Sequence, residues 1–541
     1  MTVTTLLGLR LGRWGIAGFG SIAFAISLLQ TAGFYQVAGR TEAERRAFGR
    51  SMSILAQQFA VIVAVPTRPD TVGGYVQWRA FGFLAILFAI WGLAAASGAA
   101  RGDEERGLVE AVLATGVSKA RMIAARMTAY TLGSLVAAFA ASAGFLVGVA
   151  TGGETFTVAP ALQAAIPLAA LGICCFSLTM FLVQLGSARS ATAIAGVVLL
   201  GLFLVNRLSQ TFDFLVAWRP VSPFHYYEQS SPLAPYGILD VRATLILVAI
   251  AIAAAVLATL AFRYRDLGSP LISLPASSRP ASYEMSTLVV WRIPVVRDLY
   301  DRRVSLLIWA AGLAALGALF VVLTKEIVQP LLSIPALSRY FSNYLTGDVY
   351  ASFLGYIWFG FAQLLMAGFA ITQVARWSAE DSDGRLELVL SNPISKTRIV
   401  VERAIVLAVG ALIIAAVSGV AVGIEAHYQS IELDRTRLVE ASLLLVPFTL
   451  VYGAVGALLA SRLPRATVGL LGAFAFASYI GVQLGPIFKL PEWVQDLSAF
   501  KLYGQPLTAG VDQTGLLIMI AIVVGALTAS AIVMQRRDIG A

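Results

Sequence analysis

Twelve stretches of this chain are apolar and free of Asp, Glu, Lys, Arg and His, and that pattern removes most folds from consideration. They lie at 15–36, 80–100, 128–150, 160–185, 190–206 and 243–262, then at 304–324, 352–375, 404–424, 441–461, 466–486 and 513–535. A helix needs about 20 apolar residues to cross the hydrocarbon of a bilayer. In lipid each backbone N–H and C=O must be satisfied within its own segment, which favours helices for runs of this length. The expectation is an all-α polytopic membrane protein of about twelve transmembrane helices, with 190–206 the shortest. Composition agrees: 13% of residues are charged, whereas a soluble domain carries about 25% to cover its surface.

Charge placement gives orientation. With both termini on the cytoplasmic side, 24 of the 39 Lys and Arg fall in the inner segments, including 101–126, 263–303 and 376–403. This is the positive-inside arrangement. Six of the remainder lie in the long outer segment 37–79, which reads as a solvated excursion or a cap over an outer exit. The net charge of +9 therefore faces anionic headgroups, and no basic-aromatic module indicates nucleic acid. Arg10 and Arg13 precede the first run as in a signal peptide, but no small-residue cleavage site follows, so a retained first helix is expected.

Cys174 and Cys175 stand side by side within an apolar run, and His225 and His427 are isolated in loops. Neither set makes a disulfide framework or a metal site.

A segment rich in Pro, Ser and Gly, 263–303, divides the chain into a first half, 1–262, and a second, 304–541. The halves repeat one another. Gly107-Leu-Val-Glu110 through Ser118-Lys-Ala-Arg121 aligns without a gap on Gly384-Arg-Leu-Glu387 through Ser395-Lys-Thr-Arg398, at an offset of 277. Ala191-Thr192 and Ala466-Thr467, and Ser222-Pro-Phe224 and Ser498-Ala-Phe500, repeat at 275 and 276. Six helices per half keep both copies in one orientation, which predicts a parallel repeat.

No phosphate loop of the form G-x-x-x-x-G-K-[ST] occurs. Nor do the apolar runs carry the buried ionisable groups that proton-coupled pumps generally use. Energy is expected from another chain, and the repeated segments 101–121 and 377–398 offer it a handle. In the first, Asp103, Glu104 and Glu105 precede a short helix with Val109, Val112 and Leu113 on one stripe; Gly116 stops it and Ser118 caps the next helix. In the second, Glu380, Asp381 and Asp383 take the acidic role, Asn392-Pro393 turns and Ser395 caps. A plain headgroup anchor is the alternative, but such helices are usually basic on their polar face.

Glu104-Glu105-x-Gly107-x-x-Glu110 followed by Ser118-x-x-Arg121, with Gly384-x-x-Glu387 and Ser395-x-x-Arg398 in the second copy, resembles the coupling segment of type-2 ATP-binding-cassette (ABC) exporter permeases. Thr71-Val-Gly-Gly-Tyr75 through Trp78-Arg79 is similar to the fused twelve-helix permeases of actinomycete polyketide-antibiotic exporters of the tetronasin type. Asp383 and Asn392-Pro393 depart from the first copy, which puts the equivalence of the two segments in question.

The resemblance implies a non-enzymatic subunit in a bacterial plasma membrane. It would work with two copies of a separate ATPase that holds ATP and Mg. It also implies a path for a hydrophobic or amphiphilic small molecule between the halves. Lining candidates are Phe81, Phe88, Trp91, Phe203, Asn206, Trp358, Gln363, Phe476 and Gln483, each of which could equally be ordinary packing. Trp291, Arg292, Arg297, Arg302 and Arg303, like Arg10, Arg13 and Trp14, suggest interfacial lead-in helices. The outer segments 207–240 and 487–512 suggest lids dipping into the outer leaflet. The competing classes are a secondary transporter of the major facilitator type, whose matching loop is short and basic, and a membrane scaffold or embedded enzyme.

Overall fold

The computed structural model describes residues 3–39, 41–58, 65–186, 188–210, 212–269, 271, 293–333, 348–382, 384–391, 394–464, 466–488 and 498–537. These form helices and the turns between them. The chain divides into two compact units, Met1–Ala281 and Ser282–Ala541, and the division falls inside the expected linker.

In the first unit the helices are α1 (Val3–Val37), α2 (Glu42–Gln58), α3 (Val72–Glu105), α4 (Leu108–Ala114), α5 (Lys119–Thr151), α6 (Val158–Leu185), α7 (Ala188–Leu208), α8 (Pro223–Glu228) and α9 (Val241–Tyr264). The second holds α10 (Pro294–Asp301), α11 (Arg303–Ser333), α12 (Val349–Asp381), α13 (Arg385–Leu390), α14 (Lys396–Tyr428), α15 (Arg435–Arg462), α16 (Thr467–Phe488), α17 (Ala499–Tyr503) and α18 (Gln513–Arg536). Among the described residues, ten helices are long and apolar enough to span a bilayer. The other two expected runs form α7 and α16, in which the described apolar stretches are Ile194–Leu208 and Thr467–Tyr479.

Each unit packs in the same way. The first long helix lies along the third, α1 on α5 and α11 on α14. The fourth, α6 or α15, sits at the centre and touches the second, third and last. Small residues permit this closeness, as is usual between helices in lipid. Gly144 of α5 faces the backbone of Phe24 so closely that an added Cβ would lie 2.2 Å from its carbonyl oxygen. Around α15 the second unit buries Trp358, Phe359, Phe369, Phe448, Tyr452 and Tyr503.

Two details repeat with the sequence. The second long helix of each unit carries a π-helical turn after its first five residues, at Gln77–Phe81 and at Leu354–Trp358, again 277 positions apart. A short helix before the last long one then anchors on the bundle through a tyrosine. Tyr227 donates to the Phe81 carbonyl at 2.9 Å, and Tyr503 donates to that of Ala441 at 2.8 Å.

The structure corrects two expectations. Part of the 37–79 segment is not a solvated excursion but the helix α2, docked on its own unit. Phe48 packs against Phe34 and Tyr75, and Arg45 pairs with Glu154 at 2.7 Å. The segment's charges concealed a helix whose single aromatic, Phe48, makes the contact. Arg10, Arg13 and Trp14 form no separate lead-in helix, because the backbone runs unbroken through them in α1. The expected second lead-in exists as α10, where Arg302 pairs with Asp298 at 2.8 Å; Trp291 and Arg292 lie outside the described residues.

Candidate functional site

Arg106 and Gly107 join α3 to α4, and Gly107 turns the chain with φ +70°, a left-handed conformation that costs a side-chain-bearing residue. Gly384 makes the same turn after α12 with φ +72°. The Gly107 N–H donates to the Glu104 carbonyl at 3.0 Å, and that of Gly384 to the Asp381 carbonyl at 3.3 Å. Each short helix then buries one apolar anchor. Val109 enters a cluster with Ala100, Met122 and Ile123; Leu386 enters one with Ile399, Val400 and Met534. The next long helix starts at a serine cap, where Ser118 accepts from the Arg121 N–H and Ser395 from the Arg398 N–H, both at 3.3 Å.

The acidic residues divide by exposure. Glu105, Glu110 and Glu387 face outward, as do Ser118, Arg121, Ser395 and Arg398. Glu104 does not. Its carboxylate is buried and receives a bidentate pair from Arg265, with Nη1 at 2.8 Å. Arg101 adds a contact at 3.2 Å and the Gly268 N–H another at 2.6 Å. Arg101 also donates to the carbonyls of Val183 at 2.9 Å and Gly186 at 2.6 Å, pinning α3 to the end of α6. Asp103 holds both Arg106 and Arg126, each at 2.9 Å. In the second unit Asp381 pairs with Arg537 and Glu380 with Arg403, while Asp383 lies outside the described residues.

The pairs Glu104–Arg265 and Asp381–Arg537 are one device used twice. The acid ends the second long helix; the arginine follows the last. A lysine secures each arginine's backbone: Lys119 Nζ donates to the Arg265 carbonyl at 2.8 Å and Lys396 Nζ to that of Arg537 at 2.7 Å. Sequence reading missed both arginines, although Arg265-Asp-Leu-Gly268 and Arg537-Asp-Ile-Gly540 form a further repeat, at an offset of 272. Each unit thus ties the end of its second long helix, just before the short helix, to the chain that follows its last one.

Of the lining candidates, Phe81, Phe88 and Trp358 are fully buried within their own units. Asn206 is buried and donates to Glu228 at 3.0 Å. Gln363 is buried with its Oε1 lacking a partner among the described residues. Trp91, Phe203 and Phe476 are half-buried, and nothing of the Gln483 side chain is described. No cluster of metal-ligating side chains occurs among the described residues.

Fold and site together define a multi-pass α-helical membrane protein of two like units, each bearing a clamped short helix at one end. A family model for the C-terminal domain of multidrug efflux system permease Rv1217c matches residues 10–263 and 299–535, and the chain belongs to that family of efflux permeases. No curated protein matches the sequence.

Proposed function

We propose that this permease is the membrane subunit of an ATP-driven exporter of hydrophobic or amphiphilic small molecules, worked by two copies of a separate ABC ATPase that bind ATP and Mg. The observation that carries the reading is the pair of short helices. Each turns on a left-handed glycine, shows an exposed glutamate (Glu110 or Glu387) and directly follows a long helix whose terminal acid is paired to the other end of its own bundle. A soluble motor gripping these faces would move whole helices rather than loops. Both termini and both short helices then face the cytoplasm of a bacterial plasma membrane, in line with the lysine and arginine placement.

The test is co-purification with the cognate ATPase. Glu110→Arg combined with Glu387→Arg is expected to abolish the complex while leaving the helical content and melting temperature of the permease unchanged. Undiminished docking would refute the assigned surface. ATP hydrolysis stimulated by substrate is expected only in the complex; uptake by the lone chain driven by a proton gradient would favour a secondary transporter instead.

A further inference from the structure

Beside the first short helix, a cleft of about 600 Å³ opens between the start of α1, the end of α3 and the start of α5. That is the size of a site for a drug-sized molecule. Its walls are apolar: Leu7, Leu11 and Ile16 on one side, Ala95 and Ala99 on the other. At one end Tyr130 stacks on Phe176 with centroids 4.1 Å apart, and Trp91 lies tilted against Tyr130 at 4.9 Å. Tyr130 is 6% exposed, and its hydroxyl has no hydrogen-bond partner among the described residues. A buried hydroxyl ordinarily has one.

The rim carries the other polar element. Arg106 and Arg126 line the cleft and share the single carboxylate of Asp103. Two guanidiniums against one acid leave a net positive charge at the mouth of an apolar cavity. The spare N–H donors of a guanidinium are matched to an oxyanion.

We propose that this cleft binds an amphiphile with one acidic headgroup, the headgroup at the Arg106–Asp103–Arg126 rim and the apolar body along α1 and α3. The aromatic stack receives the far end of that body, where a polar atom would meet the Tyr130 hydroxyl. The assignment deepens the efflux reading by naming a ligand class, and rests on that reading only for placing the cleft at the inner leaflet. An acidic lipid of that leaflet and a free single-chain acid share this chemistry.

The test uses the full chain in phosphatidylcholine nanodiscs, titrated with 11-(dansylamino)undecanoic acid and followed by energy transfer from tryptophan to dansyl. Gly15 lines the cleft, and a Cβ added there meets nothing within 4 Å, so the Gly15→Leu side chain starts from open space at the cleft wall. It is expected to weaken binding roughly tenfold, and Arg106→Gln to weaken the acid several-fold while leaving its methyl ester unaffected. Equal affinities across wild type and both variants, or equal binding of acid and ester by the wild type, would overturn the proposal. If phosphatidylglycerol in the disc competes with the probe, the ligand is the bilayer's own lipid; if it does not, the ligand is a free acid, and either result supports the site. Because no ATPase is present, failure here leaves the efflux reading standing.

Discussion

An ionised carboxylate withdrawn from water must be held by opposite charge, and Glu104 is held by two guanidiniums and a backbone N–H. Removing one partner of such a pair costs more than the pair itself contributes, because the other charge stays buried. Arg265→Met is therefore expected to lose about 3–5 kcal/mol, seen as a lower melting temperature, and Glu104→Gln with Arg265→Met to recover part of it. A single variant that melts with the wild type would refute the clamp. Asp70 gives a second test at this scale. The Arg68 guanidinium, 2.9 Å away, holds the Asp70 carboxyl below its usual range. Since the folded value lies below the unfolded one, this contribution is complete above the unfolded carboxylate range and is lost as pH falls through the folded value. The melting difference between wild type and Asp70→Asn should be constant near neutrality and shrink in acid; a difference that grows in acid would contradict the pairing.

The elements turn on two glycines for opposite reasons. Gly107 is needed for its left-handed backbone, so Gly107→Ala is expected to cost about 1–2 kcal/mol. The loss should be local and read as faster tryptic cleavage around α4. Gly144 is needed for space: Gly144→Ala drives a methyl into the Phe24 carbonyl. It should loosen α1 from α5 and lower the melting temperature more than Gly107→Ala does. Much of this was legible in the sequence. Uncharged runs mark the long helices, the glycine and serine positions of the repeat mark where the short helices turn and cap, and Val109 announced its buried face. Glu104 was not legible as an internal residue, because its partner Arg265 is 161 positions away. That arginine also repeats at 272 rather than at the 275 to 277 of the other motifs. The docked helix α2 was hidden by a surface of Glu42, Glu44, Arg45, Arg46 and Arg50, whose charges outnumber the aromatic contacts that fix it.

For the whole molecule the orientation is the claim most open to direct measurement. Cys174 and Cys175 are buried, so background labelling by an impermeant maleimide should be low. In intact cells Glu42→Cys is expected to label from outside, whereas Glu110→Cys should label only after permeabilisation. The opposite pattern would invert the molecule and remove its short helices from any cytoplasmic motor.

The clamp also imposes an order on biosynthesis. Glu104 leaves the ribosome long before Arg265, with three further long helices, α5, α6 and α9, and the shorter α7 still to be made. A nascent chain halted at Tyr264 would hold all the first unit's helices but would leave Glu104 at the end of α3 without its Arg265 partner. The first clamp closes only when synthesis passes into the linker, and the second waits for Arg537. Neither clamp can close until its own half has been fully translated.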